Sequence, residues 1–534
     1  MAETEETYDY IIVGAGSAGG VIANRLSARP DIRVLLIEAG GEPSSFWFKV
    51  PIGVGKLILS DAVWPYHTEP ELGGREIEWV HGRVLGGSSS VNGMLFVRGE
   101  PKRYDEWRDA DCPGWGWDDV LPYFKRLEDC PFGDPEVRGR GGPIPVAQME
   151  VDDPISKAFV AACQEQGLPL NPDYNGGDNY GIGPSQFNTK NHARVSTFHG
   201  YIQPARGRAN LTVRTNAPVD RVMVSGNRAT GISYSMGGQE RTASADREVI
   251  LCGGAFHSPH LLELSGIGNG DILKKFDIPV ANHLPGVGEN LREHLHPRVS
   301  YETNLPITVN DMLRDRWRGA REMLRYLLFR KGLFRTVSFI TNGYARSDEA
   351  APYADIRLQC MLNSGPARSV GASIDRFSGF HLGCYYLYPK SSGYIHLSSP
   401  DPQAMPAMRA NYLADEDDLK RSLRAVEIAR EIGRQPAFQP VIVRETRPGP
   451  DVTTAEGLKN FVYESGETSW HPVGSCRMGT DKDAVVDPRL RVHGMAGLRV
   501  ADASVIPFHT SSNTNVPSIM VGEKASDLIL EDLD

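Results

Sequence analysis

The chain has 534 residues, 40% hydrophobic and 23% charged, with a net charge of -10 and a pI near 5.8. That length allows two domains around a large core, and the composition is globular rather than disordered. The acidic balance excludes nucleic acid as a partner; the seven scattered cysteines contain no C-x-x-C pair, which argues against a metal site or a disulfide framework and fits a reduced, cytoplasmic setting.

Residues 1–8 are acidic and polar and lack the basic start and apolar stretch of a secretion signal. Residues 10–13 (Tyr-Ile-Ile-Val) predict a strand, and Ala18, Val21, Ile22 and Leu26 a helix. Residues 34–37 predict a second strand ending at Glu38. Residues 41–130 are rich in Gly, Pro and Trp, which predicts long connections with short helices. Residues 211–213 and 248–251 predict further strands of a nucleotide domain, and 221–235 predict alternating strands turning at Ser225-Gly226-Asn227. From about 300 to 465 the pattern changes. Residues 359–362, 381–388 and 394–397 predict an antiparallel sheet covered by helices such as 415–432. The chain then returns to strand at 498–501 and to a helix over 517–530.

No apolar run reaches the roughly 18–20 residues needed to span a bilayer. Residues 316–334 mix Trp317, Leu324, Leu327, Leu328 and Phe334 with Arg318, Arg321, Arg325, Arg330 and Lys331. They predict an amphipathic helix packed on its own domain. The other reading is weak association with a membrane surface, peripheral at the inner membrane.

Three motifs carry chemistry. Gly14-x-Gly16-x-x-Gly19 stands between a strand and a helix. Gly14 allows the tight turn, Gly16 lets backbone approach a pyrophosphate, and Gly19 permits close helix packing. The helix N-terminus then offers free N–H groups to the phosphates. Glu38 can accept from a ribose hydroxyl, which favours an unphosphorylated ribose, FAD or NAD. A second glycine-rich loop spans residues 82–94, where small residues let backbone pass close to a flat ring or pyrophosphate. The third motif spans 254–268, and the chain also holds Trp470-His471-Pro472 and Asn513-Thr514-Asn515-Val516-Pro517.

Taken with the run Leu284-Pro285-Gly286-Val287-Gly288-Glu289-Asn290, these motifs resemble the glucose–methanol–choline (GMC) flavin oxidoreductases, in order and over nearly the whole chain. The resemblance implies an α/β (α+β overall) fold. A discontinuous Rossmann-like FAD-binding domain would be drawn from 1–150, 200–300 and 465–534. A substrate domain of antiparallel sheet covered by helices would be drawn from 151–199 and 301–464. One FAD per chain is implied. It would lie against Gly14, Gly16, Ser17, Ala18 and Gly19, then Glu38 and Ala39, and Trp64. Arg83, Gly87, Asn92, Gly93, Met94 and Leu95 of the second loop would also hold it. So would Val219 by its backbone at the adenine, Trp470, Asp502 and Ala503 at the phosphates, and Val516. Val91 stands where some relatives bind flavin covalently through a His, so the FAD is expected to be noncovalent.

The implied reaction is oxidation of an alcohol to the aldehyde by hydride transfer to flavin N5. His471 resembles the family's base, and Asn515, at family spacing, the alkoxide partner. The chemistry stands without the family: a neutral His accepts the hydroxyl proton near pH 7, and an amide donates to the developing alkoxide. No metal is expected. The partners implied are a small-molecule alcohol and an electron acceptor, which is oxygen, a quinone or a carrier protein. Choline-specific relatives carry a Glu where Ile340 stands here. An uncharged primary alcohol with an apolar or aromatic body is therefore expected, walled by Phe339, Ile340, Tyr344, Met361 and Trp470. Choline dehydrogenase or oxidase, and an FAD-containing hydroxynitrile lyase-type enzyme without net redox, remain the alternatives.

Overall fold

The computed structural model describes residues 6–366 and 374–533. Residues 1–5 of the acidic N-terminal stretch lie outside the described residues.

Ile11, Ile12, Leu35 and Leu36 are fully buried. Strands Glu6–Val13 and Val34–Ile37 thus present apolar side chains on both faces, as a parallel sheet covered on both sides requires. They pair in parallel, Ile12 opposite Leu36. Among the described residues the full sheet runs Leu211–Arg214, Val34–Ile37, Glu6–Val13, Gln239–Leu251, Arg228–Met236, Val219–Ser225. Leu498–Val500 adds in parallel to the far half of Gln239–Leu251, Leu251 opposite Val500. One sheet therefore collects strands from the start, the middle and the end of the chain.

The helix Gly19–Leu26 packs on Asn515–Glu531. A single carboxylate fastens the two: fully buried Glu523 accepts from Arg25, Arg126 and the Tyr201 hydroxyl, the last at 2.7 Å. A buried carboxylate is tolerated only when its oxygens are satisfied in this way.

A second sheet is antiparallel throughout: Arg444–Arg447, Arg298–Glu302, Gly379–Tyr386, Ile356–Met361, Thr341–Ala345, Gly181–Pro184. Helix Glu416–Gly433 lies on it. The Asp415 side chain caps that helix by accepting from the Asp417 N–H at 2.9 Å, and Ala425, Val426, Ala429 and Ile432 are buried beneath. The strand expected at 394–397 is not part of this sheet. Tyr394–His396, a short run between Pro389 and Pro400, pairs with Ala407–Arg409 in a ribbon of its own.

The segment 316–334 packs on its own domain through Met323, Tyr326 and Phe334, as expected of it. Helix Arg316–Phe329 nevertheless leaves much of its apolar surface in solvent, Trp317 at 85% exposure and Phe329 at 68%. It is anchored by the opposite side, where buried Tyr326 donates to the His192 carbonyl at 3.0 Å. No helix among the described residues is long and apolar enough to cross a membrane. All seven cysteines are buried and free.

Candidate active site

A cavity of about 490 Å³ runs from the first glycine loop to the face of the second sheet. Its nucleotide end is built by backbone. Gly14 takes φ +100°, and a Cβ there would sit 2.5 Å from the Cys252 carbonyl oxygen, so only glycine makes this turn. A Cβ on Gly87 would fall 2.7 Å from the Gly16 Cα, whereas one on Gly16 would meet nothing nearer than 4.0 Å. The two glycine loops touch, and the Gly16 backbone stays open for close approach by a ligand.

The Glu38 carboxylate accepts from the N–H groups of Ala15 and Gly40, each at 2.9 Å. Burial raises its pKa to about 7 against those hydrogen bonds and the nearby Arg83 charge. Each oxygen keeps a lone pair for a ribose hydroxyl. Asp502 accepts from the Gly254 N–H at 2.8 Å, and from Ser258 and Ser504 hydroxyls; burial raises its pKa too. The N-terminus of helix Asn515–Glu531 opens on the same space through Thr514, Asn515 and Ser518 and favours negative charge there. Exposed backbone, an acid with spare lone pairs and a helix N-terminus fit the FAD implied by the sequence.

Most residues named from the sequence meet in this cavity. Gly14, Gly16, Ser17, Ala18, Glu38 and Ala39 line it, as do Trp64, Gly87, Val219, Asp502 and Ala503. Asn92, Gly93, Met94 and Leu95 line its middle, with Val91 beside them. Phe339, Met361, Trp470 and His471 line the other end. Met94 and Trp470 adopt φ of 58° and 61°, left-handed values that are strained for such side chains and recur at functional sites.

Other expectations need correction. Gly19 and Val516 sit behind the wall, in the packing between helices, and Arg83 stands behind Trp64, its guanidinium 4.2 Å from that ring's centre. Ile340 faces a separate cavity, because strand Thr341–Ala345 and the residues before it turn alternate side chains to opposite faces. Tyr344 is fully buried and its hydroxyl meets that of Ser512 at 3.2 Å.

The largest correction concerns Asn515. It is the first residue of the closing helix, and its Oδ1 accepts from the Ser17 hydroxyl at 2.8 Å, at the glycine loop. Asn513, two residues earlier in the loop, faces the other way, with its Nδ2 2.9 Å from His471 Nε2.

Around His471 the hydrogen bonds form one directed chain. His294 Nε2 lies 2.8 Å from the Leu387 carbonyl, which only accepts, so that nitrogen carries the proton. Burial lowers the His294 pKa to about 3, so the ring is neutral and its Nδ1 is a bare acceptor. His471 Nδ1 stands 3.2 Å away and donates to it. With that proton on Nδ1, His471 turns its Nε2 to the Asn513 amide N–H and the cavity. The His471 main chain is also held: its N–H donates to Glu293 at 2.8 Å, and its carbonyl accepts from His509 Nε2 at 2.8 Å. Glu293, His294 and His471 come within metal-binding reach of one another. The Glu293 oxygens, however, accept from the N–H groups of His294 and His471.

Sequence reasoning missed Asn513, His294, Glu293 and Arg357. Arg357 was the one with a signal, a charge inside the apolar strand Ile356–Met361.

Comparison with known proteins gives the family. Residues 8–296 and 389–522 match the N- and C-terminal models of the GMC oxidoreductase family. The chain is 39% identical to oxygen-dependent choline dehydrogenase 1 of Chromohalobacter salexigens, over 99% of this chain and 96% of that one. It is 40% identical to an oxygen-dependent choline dehydrogenase of Paraburkholderia xenovorans, over 99% and 95%. Among solved structures, pyridoxine 4-oxidase from Mesorbium loti matches with a TM-score of 0.89 and 32% identity, over 98% of this chain and 99% of that one. A formate oxidase of Aspergillus oryzae matches at 0.92 and 26%, over 99% of each. The chain belongs to the GMC oxidoreductase family and is an FAD-dependent oxidoreductase that acts on alcohols.

Proposed function

We propose that the enzyme oxidises a primary alcohol to its aldehyde, with His471 as the proton acceptor and Asn513, not Asn515, as the group that steadies the alkoxide. The observation that carries this is the pair Nε2 of His471 and Nδ2 of Asn513, 2.9 Å apart on the cavity wall. An alcohol hydroxyl placed there meets a bare nitrogen that takes its proton and an N–H that stabilises the oxygen left behind. His294 and Leu387 keep the His471 proton on Nδ1, so Nε2 is ready before substrate arrives. Arg357 fixes Asn513: its Nη1 donates to Asn513 Oδ1 at 3.3 Å, which turns the amide N–H toward His471. FAD, held by the glycine loops, Glu38, Asp502 and the closing helix, supplies the hydride acceptor when bound. Val91 offers no side-chain nucleophile, which supports noncovalent binding.

Choline is not the preferred substrate in this reading, although relatives carry that name. The carboxylates on the cavity wall, among the described residues, are Glu38 and Asp502, both at the nucleotide end. Phe339, Met361 and Trp470 offer an apolar, aromatic surround for the body of the alcohol. Free buried cysteines support a reducing, cytoplasmic location. Exposed Trp317, Leu328 and Phe329 beside Arg321 and Arg325 support weak contact with an anionic membrane surface, in a chain otherwise acidic.

The test is anaerobic mixing of the yellow protein with choline, alkanols, benzylic alcohols and sugars while following visible flavin absorbance. Bleaching by a non-cationic alcohol is expected. Readmitting air then separates oxygen from a quinone or carrier protein as acceptor. Absence of bleaching across the panel would favour the non-redox lyase alternative.

A further inference from the structure

Seven arginines are buried in the described structure, and five of them have a carboxylate. Arg98 and Arg138 share Glu128, Arg335 meets Asp152, Arg430 meets Glu445 and Arg499 meets Glu248. A buried guanidinium without a counter-charge is costly, so this pairing is the expected state. Arg194 and Arg357 break it, and of the two only Arg357 lines the active-site cavity.

Arg357 is 1% exposed. Its Nη1 donates to neutral oxygens, Ser512 Oγ at 2.7 Å and Asn513 Oδ1 at 3.3 Å, and its Nε has no hydrogen-bond partner among the described residues. The Tyr344 ring, 5.4 Å from the guanidinium carbon, gives only a cation–π contact. One amide group, that of Asn513, separates this guanidinium from His471.

We propose that Arg357 is the substrate's counter-ion: the physiological alcohol carries a carboxylate a few bonds from its carbinol carbon. A planar guanidinium with unused donors matches a carboxylate better than any neutral group. The arrangement repels a quaternary ammonium for the same reason. This rests on the alcohol-oxidation reading above and changes only the charge expected of the substrate, from none to negative.

The test uses the FAD-loaded enzyme and matched pairs: 4-(hydroxymethyl)benzoate against 4-methylbenzyl alcohol, and 4-hydroxybutyrate against 1-butanol. Flavin reduction at limiting substrate should favour the carboxylate in at least one pair. Arg357→Met should collapse that preference by about 10–100-fold, the scale of hydrogen bonds to a charged group, and Arg357→Lys should retain part of it. Benzoate, which cannot be oxidised, should perturb the flavin spectrum of the wild type and bind about 10–100-fold more weakly to Arg357→Met.

Preference for the neutral member of both pairs would overturn the proposal. So would equal loss on both members in Arg357→Met and Arg357→Lys, which would leave Arg357 only as the support of Asn513. Should no alcohol bleach the flavin, the oxidation reading fails by itself. Benzoate binding still decides the carboxylate site, absence of an Arg357-dependent signal counting against it.

Discussion

Asn513 Nδ2 lies 2.9 Å from His471 Nε2. Asn515, the residue that spacing favoured, bonds Ser17 instead. In the proposed mechanism the two asparagines divide between substrate and cofactor, and they should respond differently to alanine. Asn513→Ala should lower the rate of flavin reduction by about 10²–10³-fold with FAD retained, the scale for removing one alkoxide-stabilising donor. Asn515→Ala should chiefly weaken FAD retention, read as flavin released on gel filtration. A reversed pattern would reassign the pair.

His471→Ala should lose on the order of 10²–10⁴-fold in flavin reduction while the protein stays yellow, as removal of a general base does. Full activity in this variant would remove the mechanism.

His294 touches no substrate in this arrangement and acts through His471. Its replacement by Phe removes the acceptor that holds the His471 proton on Nδ1. The expected loss is about 10–100-fold, the scale for partners that orient a functional His. It should fall on the maximal reduction rate rather than on substrate affinity, and it should change the pH profile. A uniform loss with an unchanged profile would mean that His294 only packs.

His396 sets a pH-dependent contact between helix Gly254–Leu264 and strand Tyr394–His396. Burial alone would lower its pKa, but hydrogen bonds and charge from Glu263 and Glu289, at 2.8 and 3.1 Å, raise it to about 9 from 6.5. A raised folded-state pKa means stability fully present below pH 6.5 and lost as pH rises through about 9. His396→Gln should lower thermal stability at pH 6 by roughly 1–3 kcal/mol. It should match the wild type near pH 10, and a gap that persists there would rule out the charge as the cause.

Helix Arg316–Phe329 should bring the enzyme to vesicles containing phosphatidylglycerol but not to pure phosphatidylcholine, in a flotation assay. Trp317→Glu with Leu328→Glu should abolish flotation, and salt should weaken it. Flotation unchanged by both substitutions would place the contact elsewhere.

The cofactor cradle was legible because strand, tight turn and helix must follow one another where glycines permit the turn, and Glu38 lies at the end of the adjoining strand. The Asn513–His471 pairing was not, because sequence spacing does not say at which residue a loop becomes a helix. At that boundary, between Thr514 and Asn515, Asn513 bonds His471 and Asn515 bonds Ser17. Ile340 was misplaced for a related reason: strand alternation sends neighbours Phe339 and Ile340 into different cavities. Helix Arg316–Phe329 showed the limit of periodicity, which reveals an apolar stripe but not which side the protein covers. Arg357 becomes notable only once three dimensions show that no carboxylate among the described residues comes to meet it.

The sheet that carries the cradle is completed by Leu498–Val500, and its first helix is clasped by Glu523, almost five hundred residues downstream. During synthesis the opening strands therefore emerge long before their partners exist. Through most of translation the nascent chain has a glycine turn without the helix N-terminus that completes its anion site. A cradle closed this late in the chain should capture flavin late, and chains truncated before Glu523 should be colourless and protease-sensitive.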